Sequence, residues 1–292
     1  MKYVNVTTFK QKFMQYRHKP GSLILFLAVC ISAFATMLAL AFVIICILIK
    51  GIPYLKPGLF EWNYNSDNVS LMPALINTLL IIVLTLLIAV PVGIGAAVYL
   101  TEYARRGNKF VGVMRLTSET LSGIPSIVYG LFGNLMFVEF LGMGRSLLSG
   151  ALALAIMVLP LIMRTTEEAL LAVPDSYREG SFGLGAGKLK TLFSVILPSA
   201  VPGIMSGVVL GIGRIVGESA ALIFTAGTVA KVAGNLFDSA RTLSVHMYVI
   251  SGEGLYIGQT YATAVVLLML VIVVNALSGL IANKLGGKKD NE

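Results

Sequence analysis

Two opposite charges stand in an otherwise apolar run, Gly211-Ile212-Gly213-Arg214-Ile215-Val216-Gly217-Glu218-Ser219. Residues four apart share one face of a helix, so Arg214 and Glu218 are expected side by side. A charge at the bilayer centre costs at least about 2.5–3.5 kcal/mol, and such residues therefore face a bundle interior or a water-filled path. Arginine's planar fork matches the oxygens of a phosphate-like oxyanion. Glu218 would hold Arg214 while the path is empty, or accept a hydrogen from a protonated substrate. The competing reading is a salt bridge that only fixes helix packing. Glycines 211, 213 and 217 thin the helix and admit another backbone or a ligand. A second run, Glu119-Thr120-Leu121-Ser122-Gly123-Ile124-Pro125-Ser126-Ile127-Val128-Tyr129-Gly130, is rich in Gly, Ser and Pro, as expected where helices pack closely or break. The hydroxyls of Ser122, Ser126 and Tyr129 either line a path or pack against a neighbouring span.

No catalytic constellation accompanies these residues. The two histidines, His18 and His246, make no metal cluster, and Arg214–Glu218 is neither a nucleophile–base pair nor a ligand set. Gly183-Leu184-Gly185-Ala186-Gly187-Lys188 looks like a phosphate-cradling loop but lacks the pattern: Phe182 stands where Gly is needed, and Leu189 where Ser or Thr is needed. Nucleotide binding by this chain is therefore not expected. Cys30 and Cys46, if on one helix, lie about 24 Å apart, too far for a disulfide.

The elements that must position these side chains are membrane spans. Of 292 residues, 57% are hydrophobic and 12% charged, against roughly 25% charged in a soluble domain. That composition excludes a typical cytosolic enzyme, a disordered chain and a nucleic-acid-binding domain. A bilayer core needs about 20 apolar residues per helix, and six stretches qualify: 22–49, 73–100, 121–141, 147–163, 192–226 and 261–282. The fifth is too long for one straight span and is expected to bend near Pro198 and Pro202. The first contains Ala33-Phe34-Ala35 but stays apolar to Ile49, which reads as an uncleaved anchor. Sixteen of the 22 Lys and Arg fall on one side of this arrangement: Lys2, Lys10, Lys12, Arg17, Lys19, Arg105, Arg106, Lys109, Arg115, Arg164, Arg178, Lys188, Lys190, Lys284, Lys288 and Lys289. Five fall on the other: Lys50, Lys56, Arg145, Lys231 and Arg241. This asymmetry places both termini in the cytoplasm. The reading is an all-α integral membrane protein with a cytoplasmic N-terminus (1–21), a first helix (22–49), a five-helix core (73–283) with a cytoplasmic loop (164–192), and a cytoplasmic tail (284–292). Two external connections, 50–72 and 227–260, are long enough to dock a partner or to serve as spacers, and the second ends in the turn-prone Ser251-Gly252-Glu253-Gly254.

The cytoplasmic loop carries Glu179-Gly180-Ser181, then three residues, Gly185, nine residues and Val195-Ile196-Leu197-Pro198. A short helix with small residues on one face can settle into a partner's groove, and a glycine turn ends it. Leu197-Pro198 would then start the next membrane helix, so that a push on the short helix reaches a rigid span. This spacing resembles the Glu-Ala-Ala…Gly…Ile-x-Leu-Pro signature of ABC-importer permeases, with Gly180 and Ser181 replacing two alanines and Val195 an isoleucine. Together with residues 122–133 and Arg214-Ile-Val-Gly-Glu-Ser-Ala-Ala-Leu-Ile-Phe-Thr-Ala-Gly227, the chain from about Pro73 onward resembles permeases of phosphate-specific ABC importers, and the A-type (PstA-like) subunit rather than the C-type.

The resemblance implies the type I ABC importer permease fold with six transmembrane helices in a prokaryotic plasma (inner) membrane. It implies a heterodimer with a related C-type permease, two cassette ATPase subunits that hold ATP and Mg, and an external phosphate-binding protein. No cofactor is expected in this chain. It also implies that Arg214 and Glu218 belong to the translocation path, and that Glu179, Gly180, Ser181, Gly185, Leu197 and Pro198 form the coupling loop of an alternating-access importer. Rival readings are a permease for another oxyanion (molybdate, sulfate or a phosphonate) and an ion-coupled secondary transporter, which would usually show inverted repeats.

Overall fold

The computed structural model describes residues 20–105 and 107–286, with side chains from 21 to 280. Arg106, the basic N-terminal residues Lys2 to Lys19, His18, and Lys288 and Lys289 lie outside the described residues, as does the side chain of Lys284. The described chain is helical, without strands. Helix α1 (Pro20–Gly51) leads through two 3-10 turns to α2 (Met72–Val98), which continues as a π turn, Tyr99–Tyr103. Then come α3 (Lys109–Ser122), α4 (Ser126–Gly133, extended by a π segment to Phe140), α5 (Leu147–Leu171) and the short α6 (Asp175–Gly183). Helix α7 (Lys188–Gly217) is followed by α8 (Ala220–Thr225), α9 (Leu243–Glu253) and α10 (Ile257–Gly286). Five helices are long and apolar enough to cross a membrane, or six if α3 and α4 count as one bent span.

The core forms around α5, which packs chiefly against α2 and α7. Its buried face is small near the start (Gly150, Ala151, Ala153, Ala155) and larger further on (Met157, Val158, Ile162). Small residues on its neighbours let the backbones close in: a Cβ added at Gly207 of α7 would run into the Thr165 hydroxyl. A second close contact joins α4 to α8, where a Cβ at Gly130 would meet the Ala221 Cα at 2.8 Å. Without a hydrophobic force between helices in lipid, such contacts carry much of the association. Helix α1 lies apart and touches mainly α10. Its apolar residues, Phe34, Met37 and Phe42 among them, are exposed, as suits a lipid-facing helix.

Four expectations are corrected. The third apolar stretch is not one span from 121: α3 begins at Lys109, and a 102° bend separates it from α4. Gly123 and Pro125 account for the bend, because the proline cannot donate to the preceding turn and disfavours helix in the residue before it. The fourth span does not stop at 163 but continues to Leu171. Arg164, Glu167 and Glu168 lower its hydropathy without breaking the helix, since Arg164 pairs with Glu168 one turn on and Glu167 with Arg115 of α3. The fifth stretch is interrupted at Glu218 and Ser219 rather than at its prolines. A π turn, Leu192–Ile196, absorbs the donor missing at Pro198 and the helix continues, with Leu197-Pro198 opening its regular α-helical part as expected. The connection 227–260 contains helix α9, which ends where Gly254 adopts φ +69°.

Candidate functional site

Arg214 stands in the last turn of α7 and is half-buried. Glu218 does not share its face. The helix ends at Gly217, and Glu218 has extended backbone, φ −78°, ψ 126°. Its carboxylate turns forward: Glu218 Oε1 accepts the Ala221 amide at 3.0 Å, compensating a donor in the first turn of α8. The Ser244 hydroxyl of α9 donates to the Glu218 carbonyl at 2.5 Å. The expected Arg214–Glu218 pair is thus absent, and among the described residues Arg214 makes no ion pair. The glycines beside it do not seat another backbone of this chain, because a Cβ at Gly213 or Gly217 would meet nothing within 4 Å. That side of α7 is open and has a guanidinium beside it.

The hydroxyl residues of the second run separate. Tyr129 is buried and donates to the Leu121 carbonyl at 2.7 Å, spanning the α3–α4 bend. Its hydroxyl thus tends a helix end whose carbonyls have lost their own partners. Ser122 donates to the Ser118 carbonyl and lines a 200 Å³ cleft with Arg115, Glu119 and Glu167, between α3 and α5. Ser126 opens α4. Arg214 does not line that cleft.

The connection between α5 and α7 holds a short helix and a glycine turn. Glu179, Gly180 and Ser181 lie on α6, with Glu179 and Gly180 exposed. Gly185 has φ +80°, a conformation costing an L-residue roughly 1–2 kcal/mol. The Ser181 and Thr191 hydroxyls bond at 2.8 Å, tying α6 to the first turn of α7, and Lys188 lies 4.5 Å over the Tyr103 ring. Tyr177, Phe182, Leu184 and Leu189 are exposed here, with Leu184 at 91%. An apolar patch rimmed by polar residues marks an interaction surface.

Two groups escaped the sequence reading. Arg178 joins α6 to Glu102 at 2.8 Å; it stands immediately before Glu179, but nothing in the spacing names its partner 76 positions away. At the other end of α2, Asn77 holds the connection to α9: its amide donates to the Lys231 carbonyl at 2.8 Å and accepts from the Ala233 amide at 3.0 Å. No group of three or more His, Cys, Asp or Glu able to hold a metal occurs among the described residues.

The family model described as binding-protein-dependent transport system inner membrane component matches residues 89–287. The chain is 40% identical over 194 residues to a probable ABC transporter permease protein, YqgI, of Bacillus subtilis (strain 168), covering 62% of this chain and 66% of that protein. It is 36% identical over 205 residues to the phosphate transport system permease protein PstA of Mycobacterium leprae, covering 69% of this chain and 67% of the relative. With PstA of Haemophilus influenzae the identity is 33% over 224 residues, covering 75% and 77%. The chain thus spans about two thirds of the length of the first of these relatives. Among solved structures, a bacterial alginate ABC transporter in complex with alginate pentasaccharide-bound periplasmic protein aligns with TM-score 0.67 over 93% of this chain and 98% of that one, at 13% identity. The MetNI methionine ABC transporter in an inward-facing conformation aligns at 0.56 over 74% and 94%, at 21% identity. At these identities the likeness is one of fold.

Proposed function

The chain belongs to the family of binding-protein-dependent transport system inner membrane components, and on that premise we propose that it is the membrane permease subunit of an ATP-driven phosphate importer. It forms half of a translocation path with a second, C-type permease in a prokaryotic inner membrane, both termini cytoplasmic. Two cassette ATPases, which hold ATP and Mg, engage α6 and the exposed apolar residues around it. A phosphate-binding protein docks outside. The chain itself carries no ATPase site and makes or breaks no covalent bond.

The observation that carries this reading is Arg214, a half-buried guanidinium without an acidic partner among the described residues, beside an open helix face. An unpaired cation within a membrane bundle calls for a compensating anion, and the forked guanidinium suits a phosphate oxyanion. Glu218 belongs to the same path by another route: by holding the first turn of α8 it fixes the break beside Arg214. Phosphate, rather than molybdate, sulfate or a phosphonate, is favoured by the likeness to the two PstA proteins. In alternating access, closure of the ATPase pair moves α6, which shifts α7 and opens the path outward; hydrolysis resets it.

The test is uptake of labelled phosphate by the assembled importer in proteoliposomes, with ATP inside and loaded binding protein outside. Arg214→Ala should lower uptake at least about tenfold, the scale of one lost charge-assisted anion contact, with assembly intact. Wild-type uptake by this variant would remove Arg214 from the path. Stronger competition by sulfate or molybdate than by phosphate would reassign the substrate, and uptake driven by a proton gradient without ATP would overturn the class.

A further inference from the structure

Helix α6 is wired to more than the helix that follows it. Arg178 Nε and Nη2 both donate to Glu102 Oε1, at 3.2 and 2.8 Å. Nη2 also donates to the Leu170 carbonyl at 3.0 Å, and Nη1 to the Val173 carbonyl at 2.9 Å and to Asp175 Oδ1 at 3.1 Å. One guanidinium thus ties α6 to two other elements. Glu102 lies on the π turn that ends α2. Leu170 stands in the last turn of α5, where carbonyls lack helical partners, and Val173 just past the end of that helix.

Burial decides whether such a link matters. Exposed pairs such as Arg164–Glu168, with side chains 61% and 64% accessible, are worth little. The Arg178 and Glu102 side chains are 18% and 14% accessible, so water replaces a lost partner poorly and the remaining charge is left uncompensated. The struts also end on stiff material. Ala97 and Leu100 of the α2 end share one buried cluster with Met163 and Leu170 of α5 and Ile196 of α7. A displacement of α6 that kept the Arg178 bonds would carry α2 and α5 together.

We propose that Arg178 is a positioning residue that transmits the motion of α6 to the α2–α5 pair through Glu102 and the end carbonyls of α5, in parallel with the route through Ser181 and α7. This rests on the reading of α6 as the element moved by the ATPases. The quantity that reports it is phosphate transported per ATP hydrolysed in the assembled importer, since a merely structural role would lower both rates together. Arg178→Met and Glu102→Gln should each lower this ratio about tenfold, within the usual span of coupling free energies, while the ATPase subunits still co-purify. Should Arg178→Met fail to assemble, Glu102→Gln leaves the bonds to Leu170, Val173 and Asp175 in place and tests the link alone. An unchanged ratio in Glu102→Gln overturns the proposal. Absence of ATP-dependent uptake by the unaltered importer would instead strike the proposed function itself.

Discussion

Arg214 and His246 are two ionisable side chains inside the packed structure, and they meet that condition in opposite ways. Arg214 presents its guanidinium beside the open face of α7. That much was legible in the run of apolar residues around it. Its separation from Glu218 was not, because spacing of four pairs residues only if the helix continues, and this helix ends at Gly217. His246 avoids the charge instead. It is fully buried on α9, outside the spans, with its ring edge-on to Tyr64 at 5.9 Å and no hydrogen-bond partner at either ring nitrogen. Burial and the nearby Arg241 charge push its pKa down to about 4. An unfolded histidine titrates near ~6.5. As pH falls, the unfolded chain therefore takes the proton first. The stability from keeping His246 neutral is complete above about pH 6.5, declines toward pH 4 and is flat below, a total of about 3 kcal/mol. The melting temperature of the assembled importer should fall over that window, and His246→Phe should make the fall shallower. Equal slopes for the two proteins would show that His246 does not control it.

At the scale of elements, two interrupted helices meet: the α3–α4 bend and the α7–α8 break pack together through Gly130 and Ala221. Composition announced the first, since Gly123 and Pro125 are helix breakers. The second carried no proline and was invisible for that reason; Glu218 and Ser219 are held out of helix by the Ala221 amide and by Ser244 of α9, 25 or more positions further on. The first bend has its own brace in Tyr129. Because that hydroxyl is committed to the Leu121 carbonyl, Tyr129→Phe should cost about 0.5–1.5 kcal/mol, read as a lower melting temperature, with the concentration dependence of phosphate uptake unchanged. A large rise in the half-saturating phosphate concentration at unchanged stability would return the hydroxyl to the path. The overlooked α9 has a different explanation. Its sequence, Leu-Ser-Val-His-Met-Tyr-Val-Ile-Ser-Gly-Glu, shows no clean apolar stripe, and its buried residues 243–246 run consecutively. Contacts from several directions, rather than one amphipathic face, make it a helix.

Across the whole molecule, α1 stands outside the core. Its contacts concentrate on α10, where a Cβ at Gly51 would meet the Tyr261 carbonyl at 2.5 Å and Lys50 lies 5.2 Å over the Tyr261 ring. A chain beginning at residue 52 should therefore insert and melt within a few degrees of the full chain, as judged by detergent-solubilised thermal unfolding; loss of the folded core would show that α1 is integral to it. The spans and the short loop helix could be read from residue order alone, because hydropathy over about 20 residues and the left-handed turn at Gly185 are local properties that survive in any compatible fold. The sharp bend between α3 and α4, the freedom of Arg214, the turning of Glu218 toward α8 and the anchoring of α6 by Arg178 were decided only when distant segments came together. Each depends on which donor meets which acceptor across gaps of a few ångströms, and a pairing between residues 102 and 178 leaves no trace in the spacing of either.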